Sequence, residues 1–434
     1  MLERGLLVNW RCLQFLMVMT VTPVLAEAAP AALPEPLTLE YVLSQSDAEH
    51  PDNVIAKSLL SQTEASKKSL EAQSGIQSRI EGRVRWVEPA EGFSDQEEDD
   101  HYVGLSATKR LYDGGFSQAN IASAKANLER QKKLFIDHQS QHRISLMQTY
   151  FNVILADLAY ARDNELMAVS YIRFDRAKDR NKLGQLADVD LVKAENTYHV
   201  ARSKRYASDV GRRYNRSLLA NLLNRPGELS ANLVKPSLPV LKRALPDVEQ
   251  LQKQALESNL RLQALRQGLD ASRQALVAAR SRNKPKVDLQ IQAGAYSREF
   301  RSSDRFRGGL LFEIPLTDAG AVDAEILKQQ SLFYSAQADL RKAEMEVQHQ
   351  VLELWQSLYI VRAQRDEAGV FAEYRDLALD KARGFYELDA VSDLGDSLAL
   401  VSEAIRKTAQ SDYDLALTWA KLDALLGKPV DINN

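Results

Sequence analysis

From Phe116 to Leu183 the chain contains neither proline nor glycine. A run of that length without a breaker can continue as one helix of roughly 100 Å, at about 1.5 Å per residue. A compact globular domain has no use for such a helix. Its apolar residues fall at a seven-residue spacing, at Ile121, Leu128 and Phe135 and again at Ile144, Phe151 and Leu158, with Ala124, Met147 and Ile154 between them. That seam belongs to coiled-coil packing. Gly184 ends the run, and a second helical pattern returns to Pro226, interrupted at Gly211. The spacing predicts a long helical hairpin.

The same pattern occurs twice. Leu111-Tyr112-Asp113-Gly114-Gly115 is echoed by Leu316-Thr317-Asp318-Ala319-Gly320, Tyr150 by Trp355, and Leu222-Leu223-Asn224-Arg225-Pro226 by Leu425-Leu426-Gly427-Lys428-Pro429, at an offset of about 205 residues. An internal duplication organises the chain into a first repeat over 27–226, a linker over 227–246 marked by Pro236, Pro239 and Pro246, and a second repeat over 247–434. Ahead of these lies residues 1–26, where Arg4 and Arg11 precede an apolar run from Leu13 to Leu25 and a small-residue site at Ala26. This is the layout of a signal peptide cleaved after Ala26. Cys12, the only cysteine, falls inside it, and Trp10-Arg11 does not resemble a lipoprotein box.

Between the helical stretches the period changes. Ile76, Ser78, Ile80, Gly82, Val84 and Trp86 alternate with Gln77, Arg79, Glu81, Arg83 and Arg85, which is the period of a strand. A second strand follows over His101 to Leu111, after an acidic loop from Glu88 to Asp100. The second repeat has its own pair, Val287 to Tyr296 and Phe306 to Ile314, preceded by a helix over Leu251 to Arg280; in the first repeat Leu39 to Ala72 reads as a helix interrupted near Pro51. Four strands of about ten residues with one apolar and one polar face match the length and pattern of outer-membrane strands. Four cannot close a barrel, and open edges in lipid leave backbone groups unpaired. Eight strands would be plugged by side chains, whereas twelve from three chains hold an open lumen. The expected architecture is an α+β membrane protein, a trimeric twelve-stranded β-barrel with four strands per chain, continued by a long α-helical coiled-coil tunnel. The alternative is a soluble antiparallel sheet with one wet face.

Signal peptide, duplicated order, the junction Ile314-Pro315-Leu316-Thr317-Asp318-Ala319-Gly320, and Gly184 to Asp190 followed by Leu191-Val192-Lys193-Ala194-Glu195 together resemble the TolC family of outer-membrane efflux proteins. The resemblance covers essentially the whole mature chain. It implies a homotrimer in outer-membrane lipid that extends into the periplasm of a Gram-negative bacterium. Its implied partners are a periplasmic adaptor and an inner-membrane RND or ABC transporter, in an efflux pump or a type I secretion system. It also implies adaptor-contacting turns at Leu183, Gly184 and Gln185 and at Leu388 and Asp389, and a periplasmic gate at Asp393, Asp396 and Asp190. The second turn departs from the family: Leu388-Asp389 stands where the first has Leu183-Gly184, and Asp389 occupies a position that is basic in some members.

Each of these residues also has a plainer reading. Asp393 and Asp396 share a helix face at i, i+3, and aspartates favour the first turn of a helix, as do Asp188 and Asp190. Arg79, Glu81, Arg83 and Arg85 line the lumen if the barrel closes and otherwise cover an exposed strand face. His138 and His142, at i, i+4, lack the intervening glutamate of a zinc motif and a nameable third ligand, so the sequence predicts a solvated helix face and no metal or other cofactor. Gly-x-Ser-x-Gly, phosphate-binding loop and cysteine nucleophile are all missing, which argues against an enzyme. The formal charge of −3 provides no footprint for nucleic acid. Two functions follow from the residues: a passive exit duct, or a non-conducting coiled coil that tethers across the periplasm.

Overall fold

The computed structural model describes residues 33–47, 50–88, 98–228, 232–297, 304–388 and 394–430. Signal segment, Cys12, most of the acidic loop, Asp389 and Asp393 lie outside them. The compact unit that begins at Glu35 contains eight α-helices and four strands among the described residues. In chain order these are α1 (Leu39–Ser44), α2 (Pro51–Gln73), β1 (Ile76–Arg83), β2 (Tyr102–Tyr112), α3 (Phe116–Lys182) and α4 (Asp188–Leu222). They are followed by α5 (Val248–Ser258), α6 (Leu260–Ser281), β3 (Lys286–Tyr296), β4 (Phe306–Glu313), α7 (Ala321–Glu387) and α8 (Leu394–Leu425).

Helices α3 and α7 are each 67 residues long, or about 100 Å. Both start from the same device. Asp113, two residues ahead of the N-cap Gly115, accepts hydrogen bonds from the amides of Gly115 (3.2 Å) and Ser117 (2.9 Å). Asp318 accepts from Gly320 (3.1 Å) and Val322 (2.7 Å). These bonds satisfy amides that the first turn of a helix leaves open, and those of Val322 and Gly320 hold the Asp318 carboxyl below its usual range. Gly115 and Gly320 turn the chain at φ of 90° and 87°, a backbone state that side chains with a Cβ rarely adopt. Strand β2 thereby gives way to α3 across three residues, and β4 to α7 across seven.

Three boundaries differ from the sequence reading. Gly211 does not interrupt α4, because packing against α3 carries the helix through an isolated glycine. The expected helix over Leu251 to Arg280 is two helices: Asn259 breaks it, its amide oxygen capping Leu262 N–H (3.0 Å) and its amide nitrogen donating to Leu425 O (3.0 Å). Strand β1 ends at Arg83, and Trp86 meets Asp99 only as an isolated bridge, so Arg85 lies outside the strand.

The core sits where α3 meets α8. Tyr150, Phe151, Tyr413 and Trp419 are fully buried there, and Phe151 stacks on Tyr413 at 4.3 Å between ring centres. Burying Phe151 supplies roughly 1.5–3 kcal/mol. The connection between the halves is tied to this core rather than loose. Tyr150 donates its hydroxyl toward Val234 O (2.6 Å) and Leu37 O (3.0 Å), which fixes the short Leu37–Leu233 bridge. Arg243 donates two hydrogen bonds to the Asp423 carboxylate (2.7 and 3.0 Å) and lies 4.3 Å over the Trp419 ring, while Trp355 Nε1 donates to Pro246 O at 3.0 Å.

The histidine expectation is corrected. His142 is buried, its ring 5.2 Å from that of His50 and 6.5 Å from that of His138, whose Nε2 lies 3.1 Å from Asn53 Oδ1. Helix α2 covers this face of α3, which the spacing alone could not show. Among the described residues no group of three or more His, Cys, Asp or Glu is placed to hold a metal ion.

Candidate channel wall and gate

The four strands make one antiparallel sheet in the order β1-β2-β3-β4, so the two hairpins join through β2 and β3. Registers align the faces across all four. One row carries Ile80, Leu105, Ala293 and Phe306; the row nearer the helices carries Ile76, Lys109, Leu289 and Leu310. Lys109 departs from the apolar pattern at that end, and its ammonium reaches back to Ser74 O. The opposite face carries Arg79, Ser106, Gln292 and Arg307 in one row and Gln77, Thr108, Gln290 and Gly309 in the next.

The apolar face is uncovered, and on the outer strands β1 and β4 the polar face is exposed as well. Ile80 is 77% exposed, Phe306 69%, Leu310 54% and Leu105 52%, while Gly104 on the polar face is buried. A soluble sheet buries its apolar face. The stripe on β4 continues past the strand through Ile314 and Leu316, which is 93% exposed. Strands β2 and β3, eleven residues each, span about 33 Å, or roughly 23 Å at a 45° tilt, close to the apolar band of an outer-membrane barrel. Both outer strands, β1 and β4, pair on one side only.

Charges on the polar face are neutralised in place. Arg79 pairs with Glu81 (2.6 Å), Arg110 with both oxygens of Asp288 (2.9 and 3.1 Å), and Lys286 with Glu313 (3.1 Å). Asp100, beyond the strand ends, takes both Arg83 (3.7 Å) and Arg85. All four residues expected to line a lumen thus lie at or near this face, each already paired.

Away from the sheet, α4, α3, α8 and α7 lie side by side in that order. The outer helices leave apolar side chains bare: Tyr206, Val210 and Tyr214 on α4, and Val370, Tyr374 and Leu377 on α7. Contacts between α3 and α8 change character along their length. Toward the hairpin turns, Phe151 on Tyr413 gives way to polar rungs: Arg162 to Glu403 (2.6 Å), Ser402 to Glu165 (2.6 Å) and Arg173 to Asp396 (2.5 Å). Glu403 also accepts from Arg406 (2.8 and 3.0 Å). Arg406 first and then Arg162 hold its carboxyl down at about 2, against the desolvation that opposes them.

Asp396 stands in the first turn of α8 and Asp190 in that of α4, as the helix-start reading expects, and Asp190 is exposed. Asp396 is brought to Arg173, whereas Asp190 stands exposed near the other turn. At the first turn Leu183 and Gly184 are exposed, Gly184 has φ of 70°, and Gln185 N–H closes on Arg180 O at 2.8 Å, so the end of α3 is capped while its tip stays bare. Leu388 is 78% exposed at the end of α7. Sequence reasoning missed Arg173, Arg162 and Glu403. Nothing local marks them, since each pair joins residues more than 220 positions apart.

No protein-family model matches the chain, and no curated protein matches it. Solved structures do. The outer membrane protein VceC from Vibrio cholerae superposes with a TM-score of 0.70 at 13% identity, over 91% of this chain and 97% of that one. The CmeC outer membrane channel of Campylobacter jejuni gives 0.72 at 13% identity, over 91% and 87%. The open state of the MtrE outer membrane channel of Neisseria gonorrhoeae gives 0.71 at 14% identity, over 91% and 90%. The chain has the fold of these outer-membrane channels, which is the TolC-like fold.

Proposed function

We propose that this chain is an outer-membrane exit duct of the TolC family. Three copies close the sheet into a twelve-stranded barrel and close the helices into a tunnel that reaches into the periplasm. The observation that carries this is the sheet, whose apolar face is left bare and whose polar face holds its charges in pairs. Lipid outside and water inside is the environment that suits both faces. The single-sided outer strands β1 and β4 and the apolar stripes on the outer helices α4 and α7 support association with further copies. Matched Asp-x-Gly helix starts and the two 67-residue helices support an internally duplicated chain.

In this reading the duct is passive and no enzyme. An RND or ABC transporter of the inner membrane selects cargo, and a periplasmic adaptor docks at the turns that carry Leu183, Gly184 and Gln185, and Leu388 and Asp389. Asp393, Asp396 and Asp190 lie at the narrow periplasmic end, where threefold symmetry repeats every carboxylate. Arg79, Glu81, Arg83 and Arg85 face the lumen. Fractionation tests the assignment: the protein is expected in the outer membrane as an SDS-resistant trimer that heat dissociates. Recovery as a soluble periplasmic monomer would overturn it.

A further inference from the structure

One row of the polar sheet face is empty of side chains on its two central strands. Gly104 on β2 and Gly294 on β3 are partners across the ladder. Tyr102 precedes Gly104 by two positions and therefore points to the same face. Its ring does not stand away from the sheet, as a strand side chain ordinarily does, but lies back across both glycines. A Cβ built on Gly294 would stand 2.6 Å from the ring's Cε2, and one built on Gly104 would overlap the phenol itself.

Three contacts hold the ring down. Gln292 Nε2 donates to the phenol oxygen at 2.8 Å. Tyr296, the register partner of Tyr102, packs beside it at 4.8 Å between ring centres. Arg83, opposite on β1, places its guanidinium 5.7 Å from the ring centre and is itself tied to Asp100. Gly104 has no φ in the left-handed region, so its backbone does not require glycine. All the nearest obstacles to a side chain there belong to Tyr102. The glycine is explained by the ring and not by the strand.

We propose that Tyr102 sets the aperture of the outer part of the channel, and that the Gly104–Gly294 pair is the recess that keeps its ring against the wall. The inference rests on the barrel reading, which makes the polar face the lumen. In a threefold assembly three rings sit at one level. Filling the recess turns all three inward together, so a change on the wall becomes a narrowing of the bore.

Unitary conductance in planar bilayers tests this with wild type, Gly104→Val, Tyr102→Ala and the Gly104→Val/Tyr102→Ala double variant, each first shown to be a heat-sensitive trimer. Valine is favoured in strands. Gly104→Val is expected to lose conductance, Tyr102→Ala to match or exceed wild type, and the double variant to recover what Gly104→Val lost. Wild-type conductance in Gly104→Val, or a double variant as low as the single, would overturn the proposal. Should Gly104→Val fail to assemble, Tyr102→Phe removes only the bond to Gln292. It is expected to add brief current reductions as the ring leaves its recess, and a steady wild-type current would overturn the proposal in that arm. A wild-type trimer that never conducts would remove the lumen, and the proposal with it.

Discussion

Glu403 is the best single handle on how the lower half of α8 is held. Its carboxylate joins Arg406 on its own helix to Arg162 on α3, with Asp163 bonded to Arg162 at 2.7 Å. Glu403→Gln keeps the shape and removes the charge, leaving two guanidinium groups to share Asp163. A carboxyl held at about 2 instead of about 4.5 favours the packed state above pH 4.5, and this contribution is lost as pH falls from 4.5 toward 2. At pH 3.5 unfolding of the first turns of α8 is then easier by about 1.4 kcal/mol, or tenfold, and at neutral pH the charge is worth up to about 3 kcal/mol. Arg406 travels with the helix, so a rigid parting of α8 from α3 forfeits only the Arg162 share. Amide exchange over Leu394 to Glu403 reads the difference, because protection reports local opening. Wild type is expected to lose about tenfold protection between pH 7 and pH 3.5 after correction for intrinsic rates. Glu403→Gln should start about 10- to 100-fold lower and respond less to pH. Equal protection and an equal pH response in both proteins would refute the reasoning.

Other expectations follow from the same geometry. Ile80→Arg puts a charge on the bare apolar face at a cost of about 2–4 kcal/mol if it lies at mid-membrane; assembled trimer should fall, and unchanged yield would argue for a wet face. Replacing Asp393 and Asp396 together by alanine should reduce cation selectivity and block by multivalent cations more than either single change, because threefold symmetry would repeat each carboxylate at the narrow end, with Asp396 already offset in part by Arg173. Arg173→Gln, which frees Asp396 from its 2.5 Å pair, should raise that selectivity, and reversal potentials check both. A bulky residue at Gly184, where φ is 70°, should weaken adaptor crosslinking and transport while the trimer persists.

Much of the fold was legible because its signals are local. An unbroken run between Phe116 and Leu183 is one helix, and alternation from Ile76 onward is a strand, since period and breakers act over a few residues. Asn259 was hidden because an asparagine in a helical pattern is ordinary until a distant partner, Leu425 O, accepts its amide. His142 was misread because the face that α2 covers is set by tertiary packing. The site divides in the same way. Arg79, Glu81 and Arg83 were assigned to the polar face by alternation, and the turn residues and gate aspartates came through the family resemblance. The Arg162–Glu403 and Arg173–Asp396 rungs, and the tyrosine laid over two glycines from different repeats, exist only once the helices and strands are side by side.

Current through a planar bilayer distinguishes a duct from a tether most directly. Trimer extracted from the outer membrane and added to one side of the bilayer is expected to insert and raise the current in equal steps, each a single barrel. Multivalent cations from the periplasmic side should reduce those steps. A stable, correctly folded trimer that inserts and carries no current would contradict the account and leave the non-conducting tether in its place.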